Sequence, residues 1–85
     1  MAEVSSGEVK TTRTFELKLR DRPEIKREWC ERVRRNPIEV RQQGNGAFKM
    51  WGYIEEIGKY IRVIVLEDGE TFENAFLDRR YKGRK

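Results

Sequence analysis

The sequence predicts an α+β fold in which one helix packs on a twisted, mainly antiparallel sheet of about five strands, in the order β-α-β-β-β-β. Three patterns predict it: a hairpin signal at Asp68-Gly69, strict alternation of polar and apolar residues over 12–20, and a helical repeat of apolar residues that begins at Ile25. Runs of strands beside a single helical segment are typical of the α+β class.

The hairpin is the strongest of these signals. Residues 60–67 and 70–77 are rich in β-branched and aromatic side chains and flank Asp68-Gly69, a dipeptide that favours a two-residue turn. Such a turn places Arg62 opposite Ala75, and it leaves Glu73 diagonal to Arg62 on the same face. Since Arg62 stands in an otherwise apolar strand, a cross-strand ion pair with Glu73 is its structural explanation.

The N-terminal half predicts one strand and one helix. In residues 12–20, Phe15, Leu17 and Leu19 alternate with polar residues, which favours a strand with one wet face. The helix is predicted to begin at Asp21-Arg22-Pro23-Glu24, a capping pattern with proline in the first turn. Apolar residues follow at every fourth position from Ile25, and Asn36-Pro37 ends the helix.

Two further strands are predicted at 38–43 and 47–55, around the turn Gly44-Asn45-Gly46. Their register has two alternatives. A two-residue turn places Ile38 and Val40 on the face of Trp51 and Tyr53, whereas a three-residue loop places them opposite Met50 and Gly52.

The predicted sheet has one face that the helix cannot cover. The predicted helix has about thirteen residues and therefore extends about 20 Å, which is enough to cover one face of a twisted sheet but not two. The open face is predicted to be a groove, a partner interface or a homodimer contact. Its predicted members are Lys49, Trp51, Tyr53, Tyr60, Arg62 and Ala75.

Composition narrows the class of protein. The chain has 85 residues, 36% hydrophobic and 40% charged, so it predicts one small domain at 11–82 with a thin core, a mobile tail at 1–10 and a basic tail at 83–85. One cysteine, Cys30, excludes an internal disulfide framework and favours a cytoplasmic protein, and no apolar run predicts a membrane span. The absence of histidine removes the commonest metal ligand and general base, so no metal or cofactor is expected.

The last strand leads into a basic segment, which gathers cations and an aromatic ring at one end of the open face. A net charge of +4 is compatible with RNA, DNA or an acidic protein partner. Strand geometry places this segment near Tyr60 and Arg62, where arginine forks could stabilise a phosphate and a tyrosine or lysine could assist proton transfer. Its residues of interest are Arg79, Arg80, Tyr81 and Lys82.

These motifs resemble a known family. The stretch "WGYIEEIGKYIRVIVLEDGETFENAFLDRRYK", and above all "KYIRVIVLEDG" and "NAFLDRRYK", is similar to small bacterial proteins near the BrnT-like branch of the RelE/ParE toxin superfamily. The resemblance covers residues 15–82 and implies a RelE-like fold with its helical part on one face of an antiparallel sheet. Relatives include messenger-RNA endonucleases, ribosome-dependent or free, and gyrase inhibitors, each normally neutralised by an antitoxin.

Carried over by position, the resemblance gives the central-strand arginine as Arg62 and the "DRR" segment as Asp78, Arg79 and Arg80. The chain departs from the family pattern in having one predicted helix in place of a helical hairpin, and Glu73 where such sequences often have histidine.

The predicted function is therefore a toxin-type, metal-independent endoribonuclease that cleaves RNA through attack of a 2′-hydroxyl, paired with an antitoxin. The catalytic residues would be Arg62, Arg79, Arg80 and Tyr81, and the substrate-binding residues Lys49, Trp51, Tyr53, Tyr60 and Lys82. The alternative is a non-catalytic module that binds RNA or protein through the same face. A homodimer through the open face is a further possible assembly.

Overall fold

The computed structural model describes residues 10–81, and within them two helices precede a four-stranded sheet. The class is α+β, as predicted, but the described strands number four and not five. The predicted N-terminal tail up to residue 9, Lys82 and the basic tail at 83–85 lie outside the described residues. The elements are α1 (Arg13–Asp21), α2 (Arg27–Arg35), β1 (Glu39–Gln42), β2 (Phe48–Ile54), β3 (Lys59–Val65) and β4 (Phe72–Leu77).

The strand predicted at 12–20 is wrong, because this stretch forms α1. Thr12 caps the helix: its hydroxyl accepts a hydrogen bond from the amide of Phe15 at 3.1 Å. Phe15 is fully buried and Leu19 packs against the core, whereas Leu17 is 47% exposed. Phe15 and Leu19 are four residues apart, a spacing that places both on one face of a helix. Leu17 lies on another side of the helix, so its alternation with them does not indicate a strand.

The second helix begins later than predicted. Asp21 is the last residue of α1, and α2 starts only at Arg27 after a short connection. Ile25 was predicted as the first apolar residue of the helix. It lies in that connection instead, and its side chain is buried in the core. The predicted end is confirmed, since the amide of Asn36 caps α2 by donating to the carbonyl of Arg32 at 3.0 Å. The single predicted helix thus corresponds to α2, and α1 takes the place of the predicted strand, so the described residues contain two helices and not one.

The sheet is a meander in the order β1-β2-β3-β4, antiparallel throughout. The loop between β1 and β2 settles the open register: Val40 lies opposite Met50, as a three-residue loop requires. In that loop the amide of Gln43 donates to the carbonyl of Ala47 at 2.7 Å, and Gly46 has φ of 93°. Glycine suits this left-handed position, as in other three-residue hairpin loops.

A β-bulge changes the predicted register of the β3–β4 hairpin. Val65 lies opposite Phe72 as predicted, but the register then shifts, so Arg62 faces Phe76 instead of Ala75. Glu73 is the inserted residue, with no partner in this register. The shift moves the small Ala75 into the core, where it is 2% exposed, and turns Asn74 away from it. Predicting Ala75 on the open face was therefore wrong.

The side chain of Asn74 forms a hydrogen bond at the outer edge of β4. Its side-chain oxygen accepts a hydrogen bond from a guanidinium nitrogen of Arg22 at 3.2 Å, and the same nitrogen donates to the carbonyl of Ala75 at 2.9 Å. Near the start of β4 the amide of Phe72 donates to the carbonyl of Lys10 at 2.8 Å, and the amide of Thr12 donates back to the carbonyl of Phe72 at 3.0 Å. The outer edge of β4 is therefore partly covered by its own chain.

Both helices lie on one face of the sheet: α1 contacts β4, and α2 contacts β2 and β3. An ion pair joins them, since Arg27 donates to both carboxylate oxygens of Glu16 at 2.7 and 3.1 Å. The hydrogen bond from Arg27 is the main reason that the pKa of Glu16 is lowered to about 2. The core comprises Phe15, Ile25, Trp29, Cys30, Val33, Met50, Ile54, Ile61, Val63, Val65, Phe72 and Ala75.

The opposite face of the sheet carries no helix in the described part of the chain, as the sequence predicted. The pairings of β2 with β3 place Lys49, Trp51 and Tyr53 on it, beside Arg62 and Tyr60. Phe76 stands where Ala75 was predicted. Neither α1 nor α2, nor any other helix within residues 10–81, has the length and apolar character that a membrane span requires.

We expect Gly52→Ala to lower the free energy of unfolding by about 1 to 3 kcal/mol, because it forces overpacking between α2 and β2. A Cβ atom at Gly52 would lie 2.5 Å from Cγ2 of Val33 and 3.2 Å from its Cβ. Gly44→Ala is the matched control, since nothing lies within 4 Å of a Cβ there. Urea unfolding of both variants measures the difference, and equal stabilities would contradict the close packing of α2 on β2.

Candidate functional site

The chain after β4 folds back over the open face, and Asp78 directs this return. The amide of Asp78 donates to the carbonyl of Tyr60 at 3.0 Å, which continues the pairing with β3 by one residue. One carboxylate oxygen of Asp78 then accepts hydrogen bonds from the amides of Arg80 at 3.2 Å and Tyr81 at 3.1 Å. This local turn, in which an aspartate bonds the backbone two residues on, brings Tyr81 onto the sheet.

The second carboxylate oxygen of Asp78 reaches into the face. It accepts a hydrogen bond from the indole nitrogen of Trp51 at 2.9 Å and lies 3.8 Å from Nε of Arg62. Burial by itself raises the pKa of Asp78, but the bonds from Trp51 and from the amide of Arg80, together with the charge of Arg62, hold the pKa below its ordinary value. Asp78 is therefore a carboxylate at neutral pH.

Arg62 is held by this carboxylate and not by Glu73, so the predicted ion pair with Glu73 is wrong. The bulge is the cause, because it removes Glu73 from the register that β3 shares with β4. The guanidinium carbon of Arg62 lies 4.3 Å from the centroid of the Phe76 ring, within the range of a cation–π contact. Nε of Arg62 is buried and forms no hydrogen bond within the described residues. Most of the side chain is enclosed, with 27% exposed.

Four aromatic side chains form a continuous row across the face, here called the aromatic ladder: Trp51, Tyr81, Tyr60 and Tyr53. Tyr81 stacks on Trp51 with ring centroids 5.1 Å apart and an interplanar angle of 12°. Tyr60 meets Tyr81 edge-on at 5.1 Å and meets Tyr53 edge-on at 5.0 Å. The last ring, Tyr53, is 46% exposed, so the ladder has one closed end and one open end.

The hydroxyl of Tyr81 is also engaged, because it donates a hydrogen bond to Oε1 of Glu39 at 2.7 Å. The other oxygen of Glu39 accepts from Nε of Arg41 at 2.7 Å. Tyr81 thus bridges the returning chain to β1 at the far edge of the sheet. Its ring, its hydroxyl and its backbone amide all have partners.

Beside the ladder lies a cleft of about 340 Å³ between the β2–β3 turn and the returning chain. Gly58, in the left-handed conformation with φ of 62°, lies in that turn. The residues that line the cleft are Gly58, Lys59, Tyr60, Leu77, Asp78, Arg79 and Tyr81. Two basic residues, two tyrosines and one aspartate therefore border the same concavity.

The structure brings together most of the site residues that the sequence predicted. Arg62, Trp51, Tyr60 and Tyr81 contact one another directly or through Asp78. Arg79 lines the adjoining cleft. Arg80 follows it on the exposed side of the turn and is held through its backbone amide.

Lys49 is further away. It lies two residues from Trp51 along β2, on the side away from Tyr53, and is not part of the cleft wall. Three contributors were missed by sequence reasoning: Glu39, Lys59 and the structural role of Asp78. The one available signal was an aspartate directly before Arg79 and Arg80, a position that favours a turn stabilised by its side chain. Nothing local marks Glu39, because its partner is 42 residues away.

Replacing Asp78 with alanine should lower the free energy of unfolding by about 1 to 3 kcal/mol, because it leaves the indole N–H of Trp51 without its acceptor and the guanidinium of Arg62 without its ion-pair partner. Hydrogen exchange of the Trp51 indole N–H, followed by NMR, should accelerate. Glu55→Ala, a change at an exposed carboxylate on the neighbouring turn, is the control. Unchanged indole exchange in the Asp78 variant would contradict the assignment of this hydrogen bond.

Comparison of the chain with protein-family models, with curated proteins and with solved structures finds no significant match in any of the three. Membership of the RelE/ParE superfamily therefore stays a prediction from the motifs of the sequence.

Proposed function

We propose that this protein binds single-stranded RNA in the cleft beside the aromatic ladder, as a module that holds RNA without cleaving it. The observation that carries the proposal is that Lys59, Arg79, Tyr60 and Tyr81 all line one cleft. Binding of single strands combines these two elements: cations that contact the backbone and aromatic faces that stack on bases.

The size and charge of the cleft agree with this ligand. About 340 Å³ lies within the range of small-ligand sites, so one nucleotide unit could be accommodated. Arg79, which is exposed, would contact a phosphate, and Lys59, also exposed, lines the same cleft. The exposed ring of Tyr53 at the open end of the ladder would stack on a neighbouring base. The net charge of +4 would favour the encounter electrostatically.

Two of the predicted catalytic residues have partners within the chain, which favours binding of RNA over its cleavage. Arg62 faces the carboxylate of Asp78, which offsets the positive charge that a phosphate would need. The hydroxyl of Tyr81 donates to Glu39, and a phenol hydrogen-bonded to a carboxylate is not directed at a substrate proton. Arg62 and Tyr81 therefore stabilise the structure of the open face through these contacts.

Arg79→Ala should weaken binding of a fluorescent single-stranded RNA about three- to tenfold at low salt, because one phosphate contact is lost. The slope of log affinity against log salt should become shallower by about 0.7, the value for one cation on a single strand. Fluorescence anisotropy across a salt series measures both. The matched control is Arg35→Ala, which removes the same charge from the exposed surface of α2 on the opposite face of the sheet.

Equal losses in the Arg79 and Arg35 variants would show a diffuse electrostatic attraction and contradict the cleft as the binding site. Absence of binding by the parent chain at low salt would contradict the RNA proposal itself and favour a protein partner.

The second candidate function is the endoribonuclease that the resemblance implies. The observation in its favour is that Arg79 and the hydroxyl-bearing ring of Tyr60 line the same cleft. In such a reaction the 2′-oxygen forms a bond to phosphorus as its proton leaves, and the bond from phosphorus to the 5′-oxygen breaks as that oxygen gains a proton. Arg79, with Arg80 beside it, would stabilise the charge on phosphorus, and a phenol or a lysine would carry a proton. An antitoxin would be the partner in that case.

Incubation of RNA with the purified chain separates the two candidates. If the chain is an endoribonuclease, it should yield fragments ending in a 2′,3′-cyclic phosphate, and the Arg79→Ala, Arg80→Ala double variant should lose this activity by more than about tenfold. Chelation of divalent metal ions should leave cleavage unchanged. Intact RNA bound by the parent chain, both alone and in the presence of ribosomes, would contradict the endoribonuclease and support the binding module.

A further inference from the structure

The two edge strands of the sheet, β4 and β1, differ in how far the rest of the described chain covers them. The outer edge of β4 is covered in part by residues 10–12 and by the side chain of Arg22. On the outer side of β1, no further strand is added within residues 10–81. An uncovered edge presents backbone donors and acceptors to another strand.

The orientation of the backbone along β1 identifies those groups. The amide of Gln43 donates inward, to Ala47 of the neighbouring strand segment. Because the direction of backbone groups alternates along an antiparallel strand, the amides and carbonyls of Val40 and Gln42 point outward. Val40 is 45% exposed, so an apolar side chain accompanies the outward backbone groups. The amide of Ile38, two residues earlier, donates inward to the carbonyl of Trp51 at 2.9 Å, so the outward edge begins after it.

We propose that β1 pairs with β1 of a second copy of this chain, antiparallel and centred on Val40, so that the two four-stranded sheets join into one continuous sheet. In this register Val40 faces Val40 of the second copy, Glu39 faces Arg41, and Arg41 faces Glu39. Two cross-strand ion pairs thus form, related to each other by the symmetry axis.

The charges of β1 select this register among its neighbours. Centring the pair on Arg41 sets two arginines opposite each other, and centring it on Glu39 sets two glutamates opposite each other, both of which are unfavourable. Within one chain Arg41 already donates to Glu39 at 2.7 Å, and the side chain of Arg41 is 72% exposed. The side chain of Glu39 is 15% exposed, so in the pair each Arg41 would exchange the carboxylate of its own chain for the same carboxylate of the second copy.

The same geometry positions the two open faces. A two-fold axis perpendicular to the joined sheet keeps each face on its own side, so both aromatic ladders lie on one surface. Glu39, which accepts a hydrogen bond from the hydroxyl of Tyr81, would lie where the two sheets join. This pairing does not depend on the proposed binding of RNA.

Sedimentation equilibrium of the full chain over a range of concentrations tests the proposal, and a dimer in equilibrium with monomer is expected. Arg41→Glu and Glu39→Arg should each weaken the dimer by about tenfold or more, since each sets like charges opposite each other. An equimolar mixture of the two variants should recover the dimer, because both carboxylates of one chain then face the two guanidinium groups of the other. Circular dichroism checks that each variant alone is folded.

Tyr53→Ser is the matched control on the open face, where the exposed ring lies away from the β1 edge. It should leave the dimer unchanged. A parent chain that is monomeric at every concentration would overturn the proposal. So would a dimer that survives both charge changes, or one that only the Tyr53 change abolishes, since the contact would then lie elsewhere.

Discussion

The carboxylate of Asp78 is the interaction on which the open face of this sheet depends. It bonds the backbone of the residues that follow it, accepts the indole N–H of Trp51, and lies beside the guanidinium of Arg62. The bonds to the backbone amides and to the indole satisfy polar groups that would otherwise be costly to enclose, and the carboxylate offsets the charge of Arg62. Asp78 thereby anchors the start of the returning chain, and Tyr81 anchors its end through Glu39 and the rings of Trp51 and Tyr60.

The β-bulge in the β3–β4 hairpin makes this arrangement possible. By inserting Glu73, it brings Phe76 beside Arg62 and turns Ala75 into the core under the helices. The two sides of the sheet are thereby given different chemistry. One side is apolar and covered by α1 and α2, and the other carries aromatic rings held by ionic and polar contacts.

These contacts explain why residues with a catalytic appearance serve as structural supports of the open face. Arg62 and Tyr81 direct their polar groups at carboxylates of the same chain, and what remains accessible is the cleft wall at Arg79 and Lys59 and the ring of Tyr53. Accessible cations beside exposed aromatic surface are features of recognition. The outer edge of β1, to which no further strand is added within residues 10–81, is a second surface, separate from the cleft.

The sequence by itself determined the α+β class, the meander of residues 38–77, the end of α2 at Asn36 and the aromatic character of the open face, because these follow from turn chemistry and local periodicity. Only the tertiary structure decided that residues 13–21 are helical, since Phe15 and Leu19 fit both periods and their packing chooses between them. It also decided the bulge and the partner of Arg62. Both depend on which side chains the core accepts and on a carboxylate that lies beyond the hairpin in the chain, and local sequence carries no information on either.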